Sequence, residues 1–219
     1  MRRAQLRFAG MLASAALQRL LATHSLVLGS SSSSRRAILQ AAGVPYAVEA
    51  ANIDEKALRR PTPEALVLAL SEAKAAAILP RLAGRPGRTL LITCDQVVVH
   101  RGRILEKPES VEEARAFIAG YSRDCCSTVG GLRVTDVRSG RFAESLDVAT
   151  VVFDAIPPHV VESLVAEEAV LWCAGALMVE SPLIAPHVTR IEGGMDSVQG
   201  LGMATLTRLL LEVGGEEPL

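Results

Sequence analysis

The chain has 219 residues, 49% hydrophobic and 21% charged, with a formal net charge of −1 at pH 7. It is long enough to bury a substantial core as one domain, or one domain with two lobes, and so small a net charge excludes holding a nucleic-acid polymer by bulk electrostatics. Four cysteines without a Cys-x-x-Cys pair and four histidines without His-Glu-x-x-His argue against a disulfide framework or zinc site and for a reducing, cytoplasmic setting. No apolar run approaches the ~20 residues of a membrane span.

Residues 1–25 carry Arg2, Arg3, Arg7 and Arg19, with no acid before Glu49. That is the composition of an organellar transit peptide, which would make the protein mitochondrial or otherwise organellar. A frayed extension, or an upstream start preceding Met11, is the alternative. Either way its loss is expected to leave the domain at residues 26–214 intact, with 215–219 a short tail.

Residues 26–42 read as strand, loop and helix. Leu26, Val27 and Leu28 signal a buried strand and Gly29 a sharp turn; Ile38, Leu39 and Ala42 recur at helical spacing before Gly43 ends the helix. Five serines fill the turn. A serine run alone reads equally as a flexible linker, but Arg35 and Arg36 fall in the first helical turn, where the macrodipole is already positive, so an anion there relieves the conflict. Hydroxyls, backbone N–H groups and guanidiniums suit a phosphate.

Residues 44–48 read as extended, and Asp54 and Glu55 as loop acids. Thr62 N-caps a helix with Pro63 at its first position, expected to stop at Pro80. Residues 90–99 are the most apolar stretch and predict a strand buried on both faces except at Asp95 and Gln96. Ser110 and Glu113 form a capping box for a helix ending at Gly120. Residues 129–137 and 142–153 predict a long hairpin. A helix opens at Pro157 or Pro158, a strand spans 184–191, and a closing helix spans 202–213. The interleaving predicts a mixed sheet in an α/β fold. Neither Gly-x-x-x-x-Gly-Lys-[Ser/Thr] nor Gly-x-Gly-x-x-Gly occurs, which removes two common nucleotide-binding templates.

Asp95 is the most anomalous residue, because a carboxylate inside Leu-Leu-Ile-Thr-Cys-Asp-Gln-Val-Val-Val is costly to bury unless paired, hydrogen-bonded or metal-bound. It is a candidate catalytic acid, or a structural aspartate capping a loop. Glu55 brought near it would give an oxygen site for Mg²⁺ or Mn²⁺ completed by phosphate. Lys74 and Lys107 read alone as surface charges.

Gly29-Ser30-x-Ser32-x-x-Arg35-Arg36, Ile53-Asp54-Glu55, Ala73-Lys74-Ala75, Cys94-Asp95-Gln96-Val97, Glu106-Lys107-Pro108, Cys173-Ala174-Gly175 and Val198-x-Gly200-Leu201 resemble, in order and spacing, the Maf family of nucleoside triphosphate pyrophosphatases. The resemblance implies two α/β lobes around a long mixed sheet with a nucleotide cleft, a fold related to the inosine triphosphate pyrophosphatases, and a homodimer. It implies release of pyrophosphate and a nucleoside monophosphate, with Asp95 as proton acceptor, Glu55 as an acid for metal and substrate, and Lys74 in the catalytic set. Ser30, Ser32, Arg35, Arg36 and Lys107 match the polar and phosphate-binding positions, and Glu55 and Asp95 the ligands of a divalent metal. Ser34, Gln96 and Glu180 match specificity positions. Gln96, Glu180 and the spacing from Ser32 to Arg35 are similar to the branch acting on 7-methyl-GTP, whereas Ser34 stands where that branch usually has tryptophan. Alternatives are a dTTP/UTP or inosine triphosphate pyrophosphatase, or a nucleotide-binding regulator of cell division without turnover.

Overall fold

A computed structural model of the protein describes residues 15–215. Within them the chain forms seven helices and a seven-stranded mixed sheet in the order β2 (Ala47–Val48), β1 (His24–Leu28), β3 (Arg88–His100), β5 (Cys125–Asp136), β6 (Phe142–Phe153), β7 (Val188–Glu192), with β4 (Arg103–Leu105) paired to β3. The contacts divide these residues into two compact units, 15–95, 131–146 and 201–215 in the first, and 96–130 and 147–200 in the second. The expected α/β class and mixed sheet are both present.

In the first unit, helix α1 (Ala15–Thr23) leads into β1 (His24–Leu28), a Ser-rich turn, α2 (Ser33–Ala41), β2 (Ala47–Val48) and α3 (Pro63–Leu82). β1 pairs in parallel with β2 and with β3 (Arg88–His100), placing Leu28 beside Val48 and Ile92. A strand hydrogen-bonded on both sides and covered on both faces must be apolar throughout, which is why Leu26, Val27 and Leu28 run consecutively. Leu26, Leu28, Ile38, Leu39, Leu90 and Leu206 share one core cluster, and Val27, Ala75, Ile78, Leu82 and Leu91 a second. The closing helix α7 (Met203–Gly214) packs its Leu206, Leu209, Leu210 and Val213 into the first.

Two features of this unit depart from the sequence expectations. Residues 15–23, inside the stretch expected to be a removable extension, are a helix whose Leu17 and Leu20 are buried in the core cluster with Leu209 and Val213; residues 1–14 of that extension lie outside the described residues. Leu17 and Leu20 lie one helical turn apart and so share a face, a short periodicity that composition alone obscures. Helix α3 does not stop at Pro80 but runs on to Leu82. A proline in the last turn forfeits one backbone bond, and Leu82, 3% exposed, together with the Arg81 to Glu49 ion pair of 2.7 Å, holds that turn in place.

In the second unit, β4 (Arg103–Leu105) folds back on the end of β3, pairing Val98 with Leu105. Ser110 caps α4 (Val111–Gly120) by accepting from Glu113 N–H at 3.1 Å. The Glu113 carboxylate accepts from Glu109 N–H at 2.7 Å rather than from Ser110, so the expected capping box is displaced by one residue. β5 (Cys125–Asp136) and β6 (Phe142–Phe153) form the expected hairpin, four residues longer at its start than the sequence suggested, and both strands contribute to each unit. α5 (Pro158–Val165), three short 3₁₀ turns, β7 (Val188–Glu192) and α6 (Met195–Val198) complete the unit. Val98, Tyr121, Val151, Phe153, Val161 and Leu164 lie in its core. No helix among the described residues is long and apolar enough to cross a membrane.

Candidate active site

The first unit builds its polar centre from the ends of β1 and β3, the N-terminus of α2 and the middle of α3. Gly29 closes β1 by donating to Ile92 O at 2.7 Å, and a Cβ there would lie 2.7 Å from both Ile78 Cδ1 and Thr93 Cγ2. Only glycine lets the chain leave the strand so close to α3 and β3. The serines after it are ordered by one another. Ser30 Oγ accepts from Ser32 N–H and from Arg35 Nη1, both at 3.2 Å. Ser32 Oγ caps α2 by accepting from Arg35 N–H at 3.4 Å and is hydrogen-bonded to Ser34 Oγ at 3.1 Å. The run is therefore a built turn and not a linker.

The two arginines part company. Arg35 is 9% exposed and folds back over the turn, whereas Arg36 is exposed and donates to Ser31 O at 3.4 Å. A buried guanidinium beside a helix N-terminus adds positive charge where the helix dipole is already positive, a setting that favours a phosphate.

Lys74 is the hub. It projects from α3 with only 7% of the residue exposed, and its Nζ lies 2.6 Å from Asp95 Oδ1 and 2.9 Å from Glu55 Oε1, with Cys94 O at 3.4 Å. Glu55 is delivered by a 3₁₀ turn (Glu55–Ala57), capped by Asp54 Oδ1 accepting from Lys56 and Ala57 N–H at 3.1 and 3.2 Å. Burial works against the lysine's charge, as does nearby Arg35, but Asp95 and Glu55 outweigh both and hold its pKa above the ordinary value. Lys74 therefore stays an ammonium. The Cys94 thiol beside it is pushed up, first by burial, against the pull of Arg35 and Lys74, so it is an inert core group.

Of the residues singled out by sequence, this unit assembles Ser30, Ser32, Ser34 and Arg35 at one turn and Glu55, Lys74 and Asp95 at one ion-pair cluster, with Arg36 on the solvent side. Among the described residues no group of three or more His, Cys, Asp and Glu side chains is placed to hold a metal ion; Glu55 and Asp95, the ligands that the resemblance implies, both contact the Lys74 ammonium.

The second unit holds Gln96, Lys107 and Glu180. Gln96 follows Asp95 on β3, and its Nε2 donates to Ser197 O at 2.7 Å, which fixes the orientation of the amide. Lys107 and Glu180 are exposed. Both act on the Cys173 thiol, which burial first and Glu180 second push up to about 11 against the influence of Lys107. Sequence reasoning missed Ser197, which holds Gln96 and is itself 6% exposed; its only signal was its place beside the Val198-x-Gly200 motif.

The sequence profile of the Maf-like protein family matches residues 25–213. The chain belongs to the Maf-like protein family. Among its relatives in that family, the "7-methyl-GTP pyrophosphatase" of Dictyostelium discoideum is 34% identical over 190 residues, spanning 85% of this chain and 95% of that protein. A "nucleoside triphosphate pyrophosphatase" of Salinispora tropica is 38% identical over 192 residues, spanning 86% and 83%. One of the same description from Nocardia farcinica is 34% identical over 200 residues, spanning 88% and 94%. The matched segment contains every site residue discussed above.

Proposed function

We propose that this chain is a nucleoside triphosphate pyrophosphatase, a hydrolase that cleaves the α–β phosphoanhydride to release pyrophosphate and a nucleoside monophosphate, and that 7-methyl-GTP is its preferred substrate. The observation that carries it is the buried Lys74, which gathers Glu55 and Asp95 on one ammonium in a chain whose β1–α2 turn is built as an anion cradle. Membership of the Maf-like family and the names of the relatives support the same reaction class.

Asp95 orients a water molecule and takes its proton as the water oxygen attacks the α-phosphorus; the bond from that phosphorus to the bridging oxygen breaks and pyrophosphate leaves with the electron pair. Lys74 fixes the position of Asp95, and its charge offsets the negative charge that accumulates in the transition state. Ser30, Ser32 and the Arg35 guanidinium hold phosphate oxygens, with Arg36 adding positive charge for the polyphosphate.

Two carboxylates are the usual protein share of a magnesium site that substrate phosphates and water complete, so Glu55 and Asp95 fit Mg²⁺ or Mn²⁺. When bound, that cation neutralises phosphate charge. Glu180 accepts from the guanine N1–H and exocyclic amine, and a carboxylate there also favours the positive charge of a purine methylated at N7. Gln96, its amide held by Ser197, contributes a second polar contact. Ser34 cannot stack on the base, so discrimination over GTP is smaller than an aromatic would give, by the ~0.5 to 2 kcal/mol of a cation–π contact.

The test is a panel of 7-methyl-GTP, GTP, ITP, dTTP and UTP with pyrophosphate detection and divalent metal supplied. The expected result is turnover with 7-methyl-GTP fastest, Ser34→Trp raising its advantage over GTP and Glu180→Gln lowering it. Faster hydrolysis of dTTP or UTP overturns the selectivity, and binding without turnover of any nucleotide overturns the enzyme.

A further inference from the structure

We propose that Tyr121 is a positioning residue for nucleotide selectivity: its hydroxyl pins the left-handed turn at Gly175 and Ala176 and so holds the segment bearing Glu180 against the segment bearing Lys107. The proposal rests on the pyrophosphatase function above and concerns the second unit alone.

Gly175 and Ala176 are consecutive residues with positive φ, 61° and 51°. Glycine adopts that region freely, whereas an alanine does so only when its surroundings impose it. The imposing contacts are specific. Gly175 N–H donates to Glu106 O at 2.8 Å and Gly175 O accepts from the Tyr121 hydroxyl at 2.7 Å, so both backbone groups of one residue are tied to two different elements. Within the turn, Ala176 N–H donates to Cys173 O at 3.0 Å and Leu177 N–H to Ala174 O at 3.2 Å. A Cβ on residue 175 would come within 2.6 Å of the Tyr121 hydroxyl and 2.8 Å of Val98 Cβ, so close approach as well as φ requires the glycine.

Tyr121 is itself clamped. It is 1% exposed, stacks on Phe153 with ring centroids 5.7 Å apart, and takes the edge of His100 at 5.2 Å and 77°. His100 is in turn held by Asp124, with Nε2 3.1 Å from Oδ2. The ring cannot turn its hydroxyl elsewhere, and burial pushes the phenol well above its ordinary pKa, so it remains a donor. A phenylalanine would fill the same core volume. What the hydroxyl adds is the bond to Gly175 O, and what that bond connects is functional. Glu106 immediately precedes Lys107, and the Gly175 turn lies between Cys173 and Glu180, whose charge, like that of Lys107, acts on the Cys173 thiol.

Tyr121→Phe removes the bond and orphans a buried carbonyl while keeping the ring. The assay is steady-state hydrolysis of 7-methyl-GTP and GTP by the full chain. The expected result is an advantage of 7-methyl-GTP over GTP reduced about tenfold, carried mainly by KM, the scale of one unsatisfied buried acceptor. A merely structural hydroxyl would lower the melting temperature and leave that ratio unchanged, which overturns the proposal. Hydrogen exchange on the wild-type protein gives a second measurement that needs no variant. The Gly175 amide is expected to be protected like the core strands although it lies inside a short 3₁₀ turn, Ala174–Ala176, and exchange as fast as an open loop would equally overturn the clamp. Absence of turnover by the wild type would sink the pyrophosphatase function instead, while the exchange result still decides whether the turn is pinned.

Discussion

Removing both carboxylates from Lys74 is predicted to cost more than the sum of removing each. At ~4 Å and an effective dielectric constant near 20, each attraction is worth about 4 kcal/mol before solvation. The Glu55 side chain is 47% exposed, so screening reduces its share to about 1 kcal/mol or less. That of Asp95 is 12% exposed and its hydrogen bond to Lys74 spans 2.6 Å, which sets the cost of Asp95→Asn at about 2 kcal/mol. In either single variant Lys74 keeps one counter-charge. In Glu55→Gln/Asp95→Asn it keeps none, and stranding a buried cation costs about 3 to 5 kcal/mol. Urea unfolding of the four proteins at neutral pH, compared at constant m, measures the excess as a coupling of up to about 2 kcal/mol. Single losses that add to the double loss within about 0.5 kcal/mol would mean that the carboxylates do not share the lysine. The same linkage predicts an alkaline limb. The folded-state pKa of Lys74 lies above its ordinary 10.5, so its contribution is complete below that value and lost as pH rises through the folded-state pKa.

Asp95→Asn is also expected to lower turnover by ~100- to 10,000-fold with the fold retained, as loss of a general base requires; near-wild-type turnover in circularly dichroic, folded protein would remove Asp95 from the reaction. Arg35→Ala should weaken triphosphate binding by about 1.5 to 3 kcal/mol and Arg36→Ala by less, both more for triphosphate than for monophosphate, as read by calorimetry; equal effects of the two would contradict the burial difference. His24 is buried, with Nδ1 2.9 Å from Thr23 Oγ1 and Nε2 unpartnered; burial first and Arg88 on β3 second lower its pKa, against Leu20 O and Asp136 on β5. Its contribution is therefore complete above about pH 6.5 and lost as pH falls through the lowered value, so melting temperature should drop from pH 7.5 to 5 and drop less in His24→Gln. Gly131→Ala should destabilise by about 1 to 3 kcal/mol, because its Cβ would lie 2.6 Å from the Val67 carbonyl carbon and oxygen, backbone that cannot move aside.

The sequence made the strands and the capped helices legible because their signals are local. Leu26, Val27 and Leu28 declared a buried strand, Thr62-Pro63 and Ser110 declared helix starts, and Asp95 stood out by being charged where everything around it is apolar. That Glu55, Lys74 and Asp95 belong to one site was implied only by resemblance, since Lys74 lies 19 positions after Glu55 and 21 before Asp95, and no local pattern encodes a contact at that range. The same holds for Arg35 against Arg36, adjacent residues on one helix whose different burial depends on which side of α2 faces Ser30. Pro80 misled in the other direction, because a propensity that ends most helices yields to one well-packed leucine two residues further on. Tyr121 carried no chemical signal, being one aromatic after a helix, and its role exists only in the pairing with Gly175.

The helix at residues 15–23 gives the amino-terminal region a consequence for maturation. A peptidase cutting at the compositional boundary near residue 25 would remove Leu17 and Leu20 from contact with the closing helix, and those side chains are 1% and 5% exposed. Two buried leucines contribute about 3 to 6 kcal/mol of transfer free energy, comparable to the whole stability margin of many domains. A cut compatible with a stable product therefore has to leave Leu17 and Leu20 on the domain, and Arg19 between them belongs to the helix that the folded chain keeps.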